Sequence, residues 1–246
     1  MSPAESALQS NWAEVEAQLN REGHALLPGF LRDDQVEELT RTLDANRTAS
    51  PSLEDEGIGR GSSLRLSGAI VPWIDVLRER LYEALVPIAR RWAQALGTPA
   101  RYPGTLPEFL QLNVQAGQAQ AQSILTRLRE GDYQALHQRV DGAHVFPIQV
   151  VGLLSDPETD FTGGEFVMTE QRPRMQSRPL VLPLRKGDLA VIASAHRPHR
   201  GTTGCYRVNL KHAISRVRSG ERTGLELLLH HATQCQPSRW TREPGH

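Results

Sequence analysis

The sequence predicts an α+β protein with a mainly β core, a sandwich or barrel, and supporting helices towards the N-terminus. Helical spacing of apolar residues dominates residues 1–108, whereas short apolar segments separated by turn sequences follow from about residue 109. Many short strands after a helical region are typical of a β core with helices packed outside it. We therefore expect one domain, with helical decoration over 1–108, a β core over 109–232 and a tail over 233–246.

The N-terminal part predicts three helices and one strand. Residues 11–22 and 33–45 have helical apolar spacing, and the segment 24–30 between them reads as a short strand that ends in a Pro-Gly turn. Residues 46–68 are rich in Ser, Gly and charge, which favours a loop. Residues 72–96 carry apolar side chains at spacings of three and four, so we expect a long amphipathic helix there.

The C-terminal part predicts nine strands, because Gly-Asp, Asp-Gly, Asp-Pro and Gly-Gly sequences interrupt its apolar segments. The predicted strands are 109–115, 123–129, 135–140, 145–154, 164–169, 180–184, 189–194, 206–217 and 223–230.

Composition excludes some classes of partner. Lys and Arg together number 28, as do Asp and Glu, so no overall field attracts nucleic acid or anionic lipid. No apolar run reaches the roughly 18–20 residues that span a bilayer, and the first residues do not resemble a signal peptide. Cys205 and Cys235 lack metal-type spacing, so we expect reduced thiols. These observations predict a cytoplasmic protein that binds neither nucleic acid nor membrane; they say nothing of its oligomeric state.

Two segments carry residues suited to a metal site. His137 and Arg139 are two residues apart on a predicted strand, so their side chains point to the same face. A His-x-Asp at this spacing supplies two metal ligands, and a third, such as His212, must come from a distant strand. Two histidines and a carboxylate leave positions open for a co-substrate and dioxygen, as in non-haem Fe(II) oxygenases. Arg222 then suits the far carboxylate of a bound 2-oxo acid.

A second pair of histidines offers an alternative for the distal metal ligand. His196 and His199 also follow an apolar segment and precede an arginine, Arg207. Pro198 interrupts that segment as a predicted strand, whereas His212 has the cleaner spacing. We therefore favour His212.

With these motifs in view, the chain resembles the Fe(II)/2-oxoglutarate-dependent oxygenases, and within them a bacterial prolyl-hydroxylase-like group. The resemblance covers roughly residues 58–232 and implies a double-stranded β-helix (jelly-roll) core. It also implies that His137 and His212 bind iron and that Arg222 binds 2-oxoglutarate. The motifs that carry it, besides these residues, are 131–133, 144–147, 160–166, 169–178 and 187–188.

The chain departs from the family pattern at two positions. Arg139 stands where the family has an acidic metal ligand, and an arginine cannot bind a cation. The family often has an Arg-Tyr pair that helps to hold 2-oxoglutarate, and here Leu128 follows Arg127, so Arg127 is a second candidate for the co-substrate. An exogenous anion beside Arg139, or a water molecule, would replace the missing carboxylate, or Asp141 would reach back to the metal. For Asp141 the alternative is a plain turn, which Asp-Gly favours.

The resemblance implies oxidation of a small molecule, such as an amino acid or a natural-product intermediate. The cofactor would be Fe(II) and the co-substrates 2-oxoglutarate and dioxygen, with Arg139 contacting an anion or the substrate. Two alternatives stay open. The fold would bind an anionic small molecule without catalysis, or it would support halogenation or another non-hydroxylating oxidation.

Overall fold

The computed structural model describes residues 3, 5, 7, 10–46, 52–99, 101–202 and 204–233. The helices are α1 (Trp12–Glu22), α2 (Asp33–Ala45), α3 (Pro72–Ala95) and α4 (Leu106–Gln115). The strands are β1 (His24–Leu27), β2 (Gly59–Arg60), β3 (Ser62–Arg65), β4 (Ile124–Arg129), β5 (Tyr133–His137), β6 (Ile148–Leu153), β7 (Phe161–Gly163), β8 (Phe166–Gln171), β9 (Arg178–Leu182), β10 (Leu189–Ala193), β11 (His196–Gly201), β12 (Gly204–Ile214) and β13 (Val217–Leu227).

The strands form two antiparallel sheets in the described part of the chain. One has the order β1-β10-β6-β13-β4-β3, and β7 pairs with β13 as well. The other has the order β2-β5-β12-β8-β9, and β11 pairs with β12. The predicted mainly β core with N-terminal helices is therefore confirmed.

Helix α3 supports the core through a continuous apolar stripe. Leu77, Leu81 and Leu85 are fully buried, and their spacing of four residues places them on one face of the helix. Tyr82 of α3 stacks on Phe109 of α4, with ring centroids 5.6 Å apart. These contacts hold both helices against the barrel.

The predicted strand at 109–115 is wrong, because these residues belong to helix α4. Thr105 and Glu108 form a capping box, and a proline lies in the first turn. Both features start a helix and outweigh the apolar run that suggested a strand.

Four short strands were missed. Strands β2 and β3 lie within the loop predicted at 46–68, β7 precedes the predicted strand at 164–169, and β11 lies between the predicted strands 189–194 and 206–217. Pro198 does not interrupt β11, because that strand pairs only with β12 in the described structure, and an edge strand tolerates proline.

Two other expectations concern the C-terminal tail and the two cysteines. Nearly all of the predicted tail, 233–246, lies outside them, as does Cys235, while Cys205 is an exposed free thiol. Within the described residues, no helix has the length and apolar character needed to cross a bilayer.

Candidate active site

Two histidines face each other on neighbouring strands of the six-stranded sheet. His212 of β12 pairs directly with His137 of β5, and directly opposed residues in an antiparallel pair project from the same face. The ring centroids are 4.3 Å apart. Phe166 of β8 stacks on the other side of His212, at 5.8 Å between ring centroids.

A carboxylate approaches the two histidines from the opposite sheet. Ligand atoms of His137, His212 and Glu226 all lie within 4.8 Å of one another. Glu226 lies on β13, in the seven-stranded sheet, so the group forms between the two sheets inside the barrel. Two histidines and one carboxylate are the donor set of mononuclear non-haem iron sites.

Glu226 was missed in the sequence, although a signal for it was present. It is a lone charged residue inside the apolar run 225–229, and a charge there needs a buried partner. It is also four residues after Arg222, and this even spacing places both side chains on one face of a strand.

His137 offers a free lone pair suited to a metal ion. Nδ1 of His137 lies 2.8 Å from the carbonyl oxygen of Ala135, so Nδ1 carries the proton and Nε2 has the lone pair. That Nε2 is buried and has no hydrogen-bond partner among the described residues. The amide nitrogen of Gln149 lies 3.1 Å from Nε2 of His212 and donates to it. An unpartnered imidazole nitrogen beside a second histidine and a carboxylate fits a divalent metal ion.

Burial and charge set the protonation states of the group. Burial lowers the pKa of His212 to about 3, and the positive charges of His137 and Arg139 act in the same direction. Burial likewise lowers the pKa of His137. Burial alone would raise the pKa of Glu226, but the positive charge of Arg139 in particular lowers it to about 2. At neutral pH the group therefore presents two neutral imidazoles and one carboxylate, the forms that bind metals.

Arg139 points into this group rather than away from it. Its Nη2 and Nε lie 3.2 and 3.3 Å from Oε2 of Glu226. Gln134 donates to the other oxygen, Oε1, at 2.8 Å. A third charge, Glu56, lies 3.7 Å from Nη1 of Arg139. Position 139 therefore faces the ligand group, and its guanidinium neutralises the carboxylate of that group.

Arg222 lies further along the same face of β13 as Glu226. It is buried, its Nε donates to the carbonyl oxygen of Gly164 at 2.8 Å, and burial lowers its pKa to about 10. Its Nη1 is buried and has no partner among the described residues. Arg222 also lines a cavity of about 190 Å³ with Phe161, Phe166 and other apolar residues. A buried guanidinium with a free donor suits a carboxylate ligand.

The other predicted site residues lie elsewhere. Arg127 pairs with Thr223, one position from Arg222, so it faces away from Arg222 and forms ion pairs with Asp44 and Glu221. Leu128, opposite Arg222, lies on the site face. Asp141 is exposed and is not part of the ligand group.

The alternative histidines are also outside the group. His196 pairs with Asn209, three residues before His212 along β12. His199 lies further from the group on β11, with its ring against Tyr206. Neither is among the ligand atoms that converge.

Comparison with protein families identifies the chain. The Oxygenase-NA family model matches residues 65–232, and its description is an oxygenase catalysing oxidative methylation of damaged DNA. The chain belongs to this oxygenase family. The resemblance to oxygenases drawn from the motifs is therefore confirmed, and this oxygenase is an oxidoreductase.

Two relatives and two solved structures are similar to this chain. Two uncharacterised proteins from strains of Mycobacterium tuberculosis are each 43% identical over 159 residues, which cover 65% of this chain and 68% of theirs. A Burkholderia pseudomallei oxidoreductase of the 2OG-Fe(II) oxygenase family superposes with a TM-score of 0.54 at 18% identity, over 92% of this chain and 94% of that one. A Pseudomonas putida prolyl-4-hydroxylase gives 0.51 at 14% identity, over 87% and 96%. These likenesses confirm the jelly-roll fold.

Proposed function

We propose that this protein is an Fe(II)/2-oxoglutarate-dependent oxygenase. His137, His212 and Glu226 would hold the iron, and Arg222 would bind the distal carboxylate of 2-oxoglutarate. The convergence of the three ligand atoms within 4.8 Å, inside the barrel, carries this proposal. Glu226 would be the third metal ligand, the role for which the sequence suggested Asp141 or an exogenous anion.

The placement of Glu226 and Arg222 on one face of β13 supports a shared site. Four residues of an antiparallel strand span about 13 Å, and the negative charge of Glu226 still raises the pKa of Arg222 across this gap, against the larger effect of burial. A five-carbon dicarboxylate has one end for a metal and one for a guanidinium. The cavity of about 190 Å³ beside Arg222 provides volume for the distal end.

The surrounding residues would prepare this site for oxidation. Bound iron, with 2-oxoglutarate and dioxygen, supplies the oxidising power to break a C–H bond. Phe166 packs against His212 and limits water at the metal side. Phe161 lies 6.0 Å from the guanidinium carbon of Arg222 and covers the co-substrate side. Low local polarity strengthens the attraction of Arg222 for a carboxylate. Leu128 adds no hydrogen-bond donor, so Arg222 provides most of the binding energy for that carboxylate.

We infer that the substrate is a small molecule. A cavity of about 450 Å³ lies between helix α3 and the segment after Arg139, with Trp92 and Val140 in its walls. His196 and Arg207 are its basic residues, and they suit a substrate that bears a carboxylate. A cavity with apolar walls and few polar groups is typical of small-molecule sites.

Damaged DNA is the second candidate substrate, on the strength of the family's description. The balanced charge of the chain gives no overall attraction for the phosphate backbone. Enzymes that act on bases recognise a flipped or single-stranded base in a pocket, so a local site would be sufficient. The experiment therefore includes both classes of substrate, small molecules and damaged DNA.

The test is succinate formation from 2-oxoglutarate in air with added Fe(II). We expect turnover by the wild type, stimulated by one class of substrate: carboxylate-bearing small molecules, or oligonucleotides with alkylated bases. Arg222→Gln should raise the KM for 2-oxoglutarate roughly 10- to 100-fold, the loss of a charge-assisted hydrogen bond. The matched control is Arg218→Gln, which removes an exposed arginine from the same strand.

The outcomes separate the alternatives. No succinate under any condition would contradict the oxygenase proposal and favour a protein that binds an anion without catalysis. A chlorinated product in the presence of chloride would favour the halogenating alternative. Equal effects of Arg222→Gln and Arg218→Gln would contradict the role of Arg222.

A further inference from the structure

We propose that Arg139 is a displaceable counter-ion of Glu226, and that it pairs with Glu56 instead when a divalent metal ion takes the Glu226 carboxylate. The inference rests on the proposed metal site and assigns roles to two residues outside the ligand set. Arg139 would be a positioning residue, and Glu56 would be its second partner.

The hydrogen bonds of Glu226 show what Arg139 occupies. Oε2 of Glu226 accepts from Nη2 and Nε of Arg139, and Oε1 accepts from Gln134. Oε2 therefore has both lone pairs engaged, and Oε1 has one. A fixed positive charge at 3.2 Å from the carboxylate also repels a metal ion that would bind there. Withdrawal of the guanidinium frees Oε2 and removes this repulsion, so it favours metal binding by Glu226.

Glu56 provides a place for the guanidinium to go. Its Oε2 lies 3.7 Å from Nη1 of Arg139, which is within ion-pair range but longer than a hydrogen bond. A small rotation of the guanidinium would close this gap and open the one to Glu226. Arg139 is nearly buried, with 10% of its side chain exposed, so a withdrawal with no second carboxylate would leave an unpaired buried charge.

The fold keeps Glu56 near the metal strand. Glu56 lies in the turn before β2, and β2 pairs with β5, where Gly59 is opposite Gln134. His137 ends the same strand β5. The other oxygen of Glu56 lies 3.6 Å from Nη2 of Arg65. Glu56 is therefore held between two arginines, and only one of them touches the ligand group.

The experiment measures the affinity of the full chain for Fe(II) alone, without oxygen, by competition with a chromophoric chelator. Glu56→Gln should weaken Fe(II) binding roughly fivefold, because Arg139 then stays on Glu226. Arg139→Gln should strengthen binding, and Glu56→Gln should have no effect in that background. The melting temperature of the metal-free variants shows whether each one is folded.

Two controls isolate the Arg139 contact. Glu54→Gln removes a carboxylate from the same turn, where it lies 3.9 Å from Arg60. Glu54→Gln should leave Fe(II) affinity unchanged. Glu56→Asp, which keeps the charge, should recover part of the loss seen in Glu56→Gln.

The other possible results would each overturn the inference. An unchanged affinity in Glu56→Gln, or an effect that persists in the Arg139→Gln background, would overturn the inference. Binding by Arg139→Gln but not by the wild type would make Arg139 a permanent block, which also overturns it. If neither protein binds Fe(II), the proposed function fails, and this inference fails with it.

Discussion

His137 and His212 are 75 residues apart in the sequence and directly opposite each other in the sheet, with ring centroids 4.3 Å apart. The pairing of β5 with β12 creates this contact, and β13 adds Glu226 from the facing sheet. The site therefore depends on both sheets, and changes to any of the three strands should affect it.

Loss of the Glu226 carboxylate should remove most of the metal affinity. Glu226→Gln keeps the shape of the side chain but takes away the charged ligand, and we expect Fe(II) affinity to fall by at least about 100-fold. Calorimetric titration under anaerobic conditions measures this. Glu221→Gln, on the same strand but outside the ligand group, serves as the control and should bind Fe(II) as the wild type does.

A carboxylate introduced at position 139 should serve as a metal ligand, even when the carboxylate at position 226 is absent. Arg139→Asp should raise Fe(II) affinity about tenfold or more, because it removes a repelling charge and adds a carboxylate beside the ligand group. Arg139→Asp should also restore binding to Glu226→Gln. An affinity that is unchanged or lower in the single variant would mean that residue 139 does not face the metal.

A side chain that crowds the Arg222 guanidinium should weaken co-substrate binding. A Cβ at Gly224 would lie 2.7 Å from Nη1 of Arg222 and 3.0 Å from Oγ1 of Thr126. Gly224→Ala should therefore shift the guanidinium and weaken 2-oxoglutarate binding about tenfold, with Fe(II) affinity unchanged. Gly104→Ala, at a position where a Cβ would meet open space, is the control. Equal 2-oxoglutarate affinity in both variants would contradict this use of Arg222.

A buried histidine should make the metal-free protein sensitive to acid. Burial lowers the pKa of His230 to about 3, and the positive charges of His231, Arg78 and Arg139 add to the effect. The unfolded chain therefore binds one more proton than the folded chain between about pH 6.5 and pH 3. The free energy of unfolding should fall as the pH falls through this range, by up to about 1.4 kcal/mol per pH unit for this group.

Urea unfolding at a series of pH values checks the role of His230. His230→Gln should flatten the dependence between pH 6 and pH 4 relative to the wild type, while both proteins show the same slope near pH 8. Identical slopes in acid would show that His230 does not titrate as its burial implies.

Sequence reasoning found the histidines because strand alternation and spacing are local signals. It placed His212 on the predicted strand 206–217 and Arg222 just before the next one, 223–230, and the structure has them on β12 and β13. It missed Glu226, whose lone charge in the apolar run 225–229 indicated a buried partner. Which partner it meets was not predictable, because the approach of one sheet to another is not encoded in spacing along either strand. It also placed a strand at 109–115, where the capping box at Thr105 starts a helix.

Arg139 was misread for a similar reason. In the sequence it suggested a site without a carboxylate ligand, whereas in the structure its guanidinium, just after β5, meets the Glu226 carboxylate of β13 at 3.2 Å. Pairing between charges that are distant in the sequence depends on the tertiary fold, so neither residue alone predicts the other.

The most direct test of iron binding by the two histidines and Glu226 is the absorption spectrum of the protein with Fe(II) and 2-oxoglutarate in the absence of oxygen. Iron held by His137, His212 and Glu226 beside a co-substrate on Arg222 should give a visible metal-to-ligand charge-transfer band in the wild type. The band should be absent in Glu226→Gln. No band in the wild type would contradict an iron and 2-oxoglutarate site in this protein. An undiminished band in Glu226→Gln would contradict the role of Glu226 as an iron ligand.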